Sequence, residues 1–267
     1  IGDAGVNPAW CGPIIFLSLI ICFLPIAVWR WRHYFDAKIS MWGTCALAGL
    51  AFTLYTASFN LTDVVRALLL FYMTPIWSTI LGLTVLGERF SIFRLVAIIL
   101  GIAGLAIVLG GEGTIPWPSK LGDWFALAAG LVWAIASVRF FQGGATHLFE
   151  KTYAFGFFAF IWAILIMFLP INWDISPPRV EVFGLLWPLL ILTTVLLLPA
   201  LFCVAWPASV LSPGRLGILF MTEAIVGVIS ASIITDEPFG IRELSGACLI
   251  ICAAIVELLR PQKNSLE

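Results

Sequence analysis

The sequence predicts an all-α integral membrane protein, a bundle of nine hydrophobic helices, and three observations lead there. Hydrophobic residues make up 61% of the 267 and charged residues only 11%, with a mean hydropathy of +1.07. An average soluble chain is about a quarter charged, so too few charges remain to build a water-facing surface. Apolar runs recur along the whole chain between polar breaks, and most approach the ~20 residues that cross a ~30 Å hydrocarbon core. Stretches such as Leu185–Leu198 are apolar on every face. That argues against a β-barrel, whose lipid and lumen faces alternate, and leaves helices as the spanning element.

The polar breaks set the spans in order. The first, 12–30, closes on Arg30 and Arg32; the second, 41–59, lies between Lys38 and Asn60; the third, 65–86, ends before Glu88. The span 92–110 runs into Gly110-Gly111, 121–141 follows Lys120, and 153–170 follows Glu150-Lys151. The span 183–208 follows Arg179, 213–234 stops before Asp236-Glu237, and 242–260 is flanked by Arg242 and Arg260. Six cysteines fall inside or at the edge of these spans without a CxxC pattern or a histidine cluster, and read as small apolar packing residues. His33 and His147 lie in different loops, too far apart and too isolated to suggest a metal site. The polar start at Ile1 and the end at Ser265-Leu266-Glu267, which reads as an appended scar, carry no functional argument.

Lysine and arginine set the orientation. With the loops alternating sides, one side holds 10 of these residues and the other only Arg66, Lys120, Arg179 and Arg242. The richer side, with Arg30–Lys38 and the C-terminus, is expected in the cytoplasm.

An ungapped shift of 149 residues brings two halves into register: Arg66 overlies Arg215, Phe71 overlies Phe220, Glu88 overlies Glu237, and Ile92 overlies Ile241. The second copy holds five spans and the first four, so one helix is expected before Ile1. Five is odd, which places the copies upside down relative to each other. Inverted repeats are a transporter architecture with the substrate near the midplane. The spans 65–86 and 213–234 are then expected as mates on opposite sides of a central cavity, with a gap where the mate of 121–141 would sit.

The segment Arg66-Ala-Leu-Leu-Leu-Phe-Tyr-Met-Thr-Pro-Ile-Trp-Ser leads to Leu86-Gly-Glu-Arg-Phe90 and then to a helix bearing Gly101 and Gly104. This order resembles the drug/metabolite transporter (DMT) superfamily, and within it the EamA-type exporters. The nearest likeness is to the YddG-like exporters of aromatic and other amino acids. In the second copy Ala224 stands where Pro75 does, and Asp236-Glu237-Pro238 replaces Gly-Glu-Arg. The resemblance implies a ten-helix bundle of two inverted fives. It divides the chain into a first EamA-like repeat lacking its first helix (1–111), a loop (112–120), an inverted second repeat (121–260) and a tail (261–267).

Glu223 falls near the midplane, where a carboxylate costs several kcal/mol. It reads either as a site that binds a substrate ammonium or carries a proton, or as a hydrogen-bonded structural acid. Its repeat partner is Thr74, and helical spacing adds Phe71, Trp77 and Ser78 on one side and Phe220, Gly227 and Ser230 on the other. Such part-aromatic, part-polar stripes suit an amphipathic substrate, although the same rings also serve as packing. Trp133, one turn before Ser137, is a candidate for stacking on a substrate ring. Pro75 and Pro199 are candidate hinges, because proline removes a helical hydrogen bond. Arg66 and Arg215 are candidate gates, or residues that snorkel to the headgroups.

Together these features predict a carrier in a bacterial-type inner membrane that exports small metabolites, amino acids first, by alternating access. Its partners would be a small-molecule substrate, the lipid bilayer and protons as a coupling ion; no cofactor, metal or nucleic acid is expected. The alternatives are an intramembrane enzyme, for which no nucleophile–base or metal-ligand cluster stands out, and a structural or receptor-like bundle.

Overall fold

A computed structural model of the chain describes residues 7–36, 39–109, 118–171, 175–178, 180–234 and 240–259. Within these residues the chain forms α-helices joined by short turns and contains no strand. In order they are α1 (Pro8–Trp29), α2 (Trp31–Asp36), α3 (Ile39–Leu61), α4 (Val64–Phe71), α5 (Thr74–Val85), α6 (Ile92–Leu109), α7 (Leu121–Gly143), α8 (Leu148–Met167), α9 (Val180–Val210), α10 (Pro213–Ile234) and α11 (Ile241–Leu258). Each predicted span has its helix, except that 65–86 is divided into α4 and α5. Among the described residues six helical stretches are long and apolar enough to cross a membrane, while Ile92–Val108 and Leu244–Leu258 are shorter apolar helices. The protein is a multi-pass membrane bundle.

The outward faces carry large apolar side chains. On α9, Trp187, Ile191, Leu192, Val195 and Leu196 are all exposed, as a lipid-facing helix requires. The largest buried cluster joins Leu19 of α1, Ala48 and Ala51 of α3, Trp133 and Phe140 of α7, Phe155 of α8, Leu201 of α9 and Leu216 of α10. Six helices thus close around aromatic rings, with alanines where backbones approach.

The breaks between helices sort to two ends. At one end Arg30 pairs with Glu150 at 2.6 Å, Arg94 pairs with Glu88 and, at 3.4 Å, with Glu257, and Arg215 donates to the Leu258 carbonyl at 3.2 Å. At the other, Arg66 pairs with Asp123 at 2.8 Å and Lys120 with Asp63 at 3.0 Å, while Asn7 donates to the Ser176 hydroxyl at 2.8 Å. This is the grouping that alternate threading of the spans demands.

Helix bounds repeat along the chain. Shifted by 149 residues, the start of α4 and the end of α5 fall on the start and end of α10, α6 falls on α11, and the end of α3 falls on the end of α9. α6 and α11 pack on each other with almost nothing between them. A Cβ on Gly104 would lie 2.7 Å from the Gly246 carbonyl oxygen, and one on Gly246 2.7 Å from that of Gly104, so only glycine lets these backbones cross.

Two expectations are corrected. Of the cysteines only Cys45 is buried; Cys22, Cys203, Cys248 and Cys252 are exposed on the lipid-facing surface, so they are not core packing residues. His33 and His147 are neighbours, with ring centroids 6.2 Å apart, because α2 folds back over the start of α8. Among the described residues no group of three or more His, Cys, Asp or Glu side chains converges.

Candidate functional site

The site is built around the break between α4 and α5. Proline has no N–H, so Pro75 leaves the Phe71 carbonyl, four residues back, without its helical donor. The Thr74 hydroxyl takes that place by donating to the Phe71 carbonyl, a local bond of the kind that bends helices. The backbone tightens there, with Met73 N bonded to Leu70 O at 3.2 Å. α7 crosses at this point, and a Cβ on Gly130 would lie 2.8 Å from the Phe71 oxygen and 3.0 Å from Thr74 Oγ1. The first turns of α5 hold polar atoms that are buried without a hydrogen-bond partner: Trp77 Nε1, Ser78 Oγ and Thr79 Oγ1. Buried polar groups are rarely left so.

Next to the break is an aromatic group. Tyr55 of α3 lies 4.2 Å from Phe71 and 4.7 Å from Phe59, ring centre to ring centre, and Tyr72 lies 5.7 Å from Phe71. Glu223 on α10 is exposed, and its charge is within electrostatic reach of the Tyr55 and Tyr72 phenols. Phe220, one turn earlier, stacks on Trp133 at 6.2 Å.

The remaining predicted site residues fall as follows. Trp133 is buried with Phe155 as well as Phe220 beside its ring. Ser137 is buried and spends its hydroxyl on the Ala134 carbonyl at 2.8 Å. Thr74 is buried at the break. Ser230 lies in α10, with its side chain outside the described residues, as is Gly227's. α5 and α10 touch directly: a Cβ on Gly217 would come within 3.0 Å of Pro75 Cα. Pro75 stands in the first turn of α5, just past the end of α4, whereas Pro199 sits within α9, which continues helical through it. Arg215 caps the last turn of α11 through the Leu258 carbonyl.

Arg66 is held fast. Its guanidinium reaches both oxygens of Asp123, at 3.4 and 2.8 Å, and the Ser119 hydroxyl at 3.1 Å. Asp123, fully buried, also accepts from the Thr62 hydroxyl at 2.6 Å and from the backbone N–H groups of Ser119 and Lys120 at 2.9 and 3.1 Å. The carboxylate therefore caps α7 while it anchors α4. Beside it, the Lys120 ammonium holds the Asp63 carboxyl below the usual carboxylate range.

A separate cavity of about 580 Å³ opens between α1, α3, α8 and α9. Its polar lining comes chiefly from Thr53, Thr56 and Asn60 of α3 and Thr193 of α9. Sequence reasoning missed this face and the tyrosines. The signal for the first was present: positions 53, 56 and 60 are spaced three and four residues apart, which puts them on one side of a helix.

Residues 4–110 match the EamA-like transporter family. An uncharacterised transporter of Archaeoglobus fulgidus is 30% identical over 126 residues, which are 47% of this chain and 44% of that protein. The chain's match thus spans under half the length of that curated relative. A protein of known crystal structure superposes with a TM-score of 0.69 over 94% of this chain and 87% of its own, at 17% identity, a likeness of fold.

Proposed function

We propose that this chain, an EamA-type member of the drug/metabolite transporter superfamily, is a carrier that moves small amphipathic metabolites, amino acids first, across the bacterial inner membrane by alternating access. The observation that carries the reading is the break at Tyr72-Met73 in mid-span. It lies between an aromatic group and a helix that bears a carboxylate. Interrupted helices at the midplane are where transporters bind, because the freed backbone and side-chain polar groups replace the water a solute loses. Here Tyr55 and Phe71 offer apolar area, the unpartnered polar atoms of α5 offer hydrogen bonds, and Glu223 takes the ammonium of an amino acid or a proton.

The matching helix bounds at a shift of 149 residues support two inverted halves, 1–111 and 121–260, that exchange access about the contact of α5 with α10. The excess of Lys and Arg at one end supports a cytoplasmic C-terminus. Arg66 serves as an anchor in this reading, and Pro75 as the hinge.

The test is uptake of labelled amino acids and nucleobases into proteoliposomes of the purified chain, with and without a pH gradient. Saturable uptake of amino acids, stimulated by the gradient, is the expected result. No solute moving faster than into empty liposomes would overturn the carrier reading; movement of nucleobases alone would overturn the substrate class.

A further inference from the structure

We propose that the groove between α1, α2, α3 and α8 binds one anionic phospholipid, its acyl chain along α1 and α8 and its phosphate at Arg30 and Arg32. The inference requires only that the bundle sits in a bilayer, and is independent of the carrier reading. The groove has a volume of about 650 Å³. Space of that size would hold roughly twenty waters at ~30 Å³ each, but a water needs two to four polar partners. The walls are Leu24 and Val28 of α1, Trp31 of α2, Trp42 of α3, and Tyr153 and Phe157 of α8. Such walls favour hydrocarbon over water.

Its depth fits the headgroup boundary. All these residues lie within about three turns of the helix ends, on the side that carries most of the Lys and Arg. Trp29 and Trp31 are exposed there, as amphipathic rings are at a membrane surface.

Charge selects the headgroup. Arg32 is exposed and its guanidinium lies over the Trp31 ring, 5.8 Å from the centroid. Among the described residues the Arg30 guanidinium donates through Nε, to Glu150, and lies over the Phe149 ring. Both terminal amino groups of Arg30 are left for a phosphate. Facing them are the carboxylate of Glu150, which Arg30 neutralises, and Lys151, which is tied to the Gly143 and Gly144 carbonyls. The balance at the described mouth is positive, and basic pockets between helices on this side of a membrane suit anionic headgroups. Tyr34, which also lines the groove, has a buried hydroxyl with no partner in the protein. Burial pushes that phenol's pKa up, so it remains a donor for a phosphate or ester oxygen.

Native mass spectrometry of the intact chain in detergent, titrated with phosphatidylglycerol, phosphatidylcholine or inorganic phosphate, tests the proposal. One phosphatidylglycerol should be retained at concentrations where phosphatidylcholine is not, and inorganic phosphate should not displace it. Arg32→Ala should weaken that first binding about fivefold, the effect of one basic residue near a surface. Val28→Trp fills the groove from an exposed position and should abolish the binding while thermal unfolding stays at the parent temperature. Equal retention of phosphatidylcholine, displacement by inorganic phosphate, or an unchanged first binding in both variants would overturn it.

Discussion

Gly130→Ala adds one methyl group to α7 where it crosses the break between α4 and α5. The new Cβ would lie 2.8 Å from the Phe71 oxygen and 3.0 Å from Thr74 Oγ1, against the 3.4 Å at which ordinary contact begins. About 0.6 Å must be relieved, and the first obstacle is a backbone carbonyl, not the tip of a flexible side chain. Overpacking of this kind costs about 1–3 kcal/mol. Replacing glycine by alanine within a helix returns about 1 kcal/mol, so the net destabilisation is up to about 2 kcal/mol. Gly184→Ala is the control, since a Cβ there meets nothing within 4 Å and only the helical gain remains. Thermal unfolding of both variants in detergent is the assay. Gly130→Ala should unfold below the parent and Gly184→Ala at or above it. If Gly130→Ala is as stable as Gly184→Ala, α7 does not lie flush against the break and the geometry of the site is wrong.

The remaining predictions concern the break and the acids. Glu223→Gln keeps the shape and most hydrogen bonds while deleting the charge; flux into proteoliposomes should collapse with membrane insertion unchanged, and parental flux at every pH would make the residue structural. Pro75→Ala returns an N–H to the Phe71 carbonyl, worth about 1 kcal/mol net or roughly fivefold in a conformational equilibrium; stability should rise and transport slow by about that factor. A variant as fast as the parent would remove Pro75 as the hinge. Asp123→Asn turns an amide toward buried N–H and O–H donors that need an acceptor, which should cost about 1–3 kcal/mol and lower the unfolding temperature more than Asp63→Asn, whose carboxylate is exposed; equal shifts would refute the anchor.

The bundle was legible in the sequence because a membrane leaves few choices: apolar length sets the spans, and each predicted span has its helix except 65–86, which is divided into α4 and α5. The position of the break could have been read too, since Pro75 leaves one carbonyl, that of Phe71, without a donor. What surrounds Glu223 could not. Tyr55 lies far away in the chain and reaches the site through the packing of α3, which no periodicity records. Asp123 falls inside the predicted span 121–141 with nothing local to single it out; the donors that converge on it come from Thr62, Arg66 and the Ser119–Lys120 turn. His33 and His147 mislead for the same reason, being distant in sequence and adjacent in space.

The crossing of α6 and α11 has a mechanical consequence. Where Gly104 and Gly246 cross, neither residue puts a side chain between the backbones, and Val108 and Ile250 lock closely around the crossing, so the pair is expected to serve as the axle of any relative motion. Displacement has to be taken up elsewhere, and it grows with distance from the axle. A covalent staple across α6 and α11 would therefore freeze little, whereas one between α5 and α7, off the axle, would stall any rocking of the bundle.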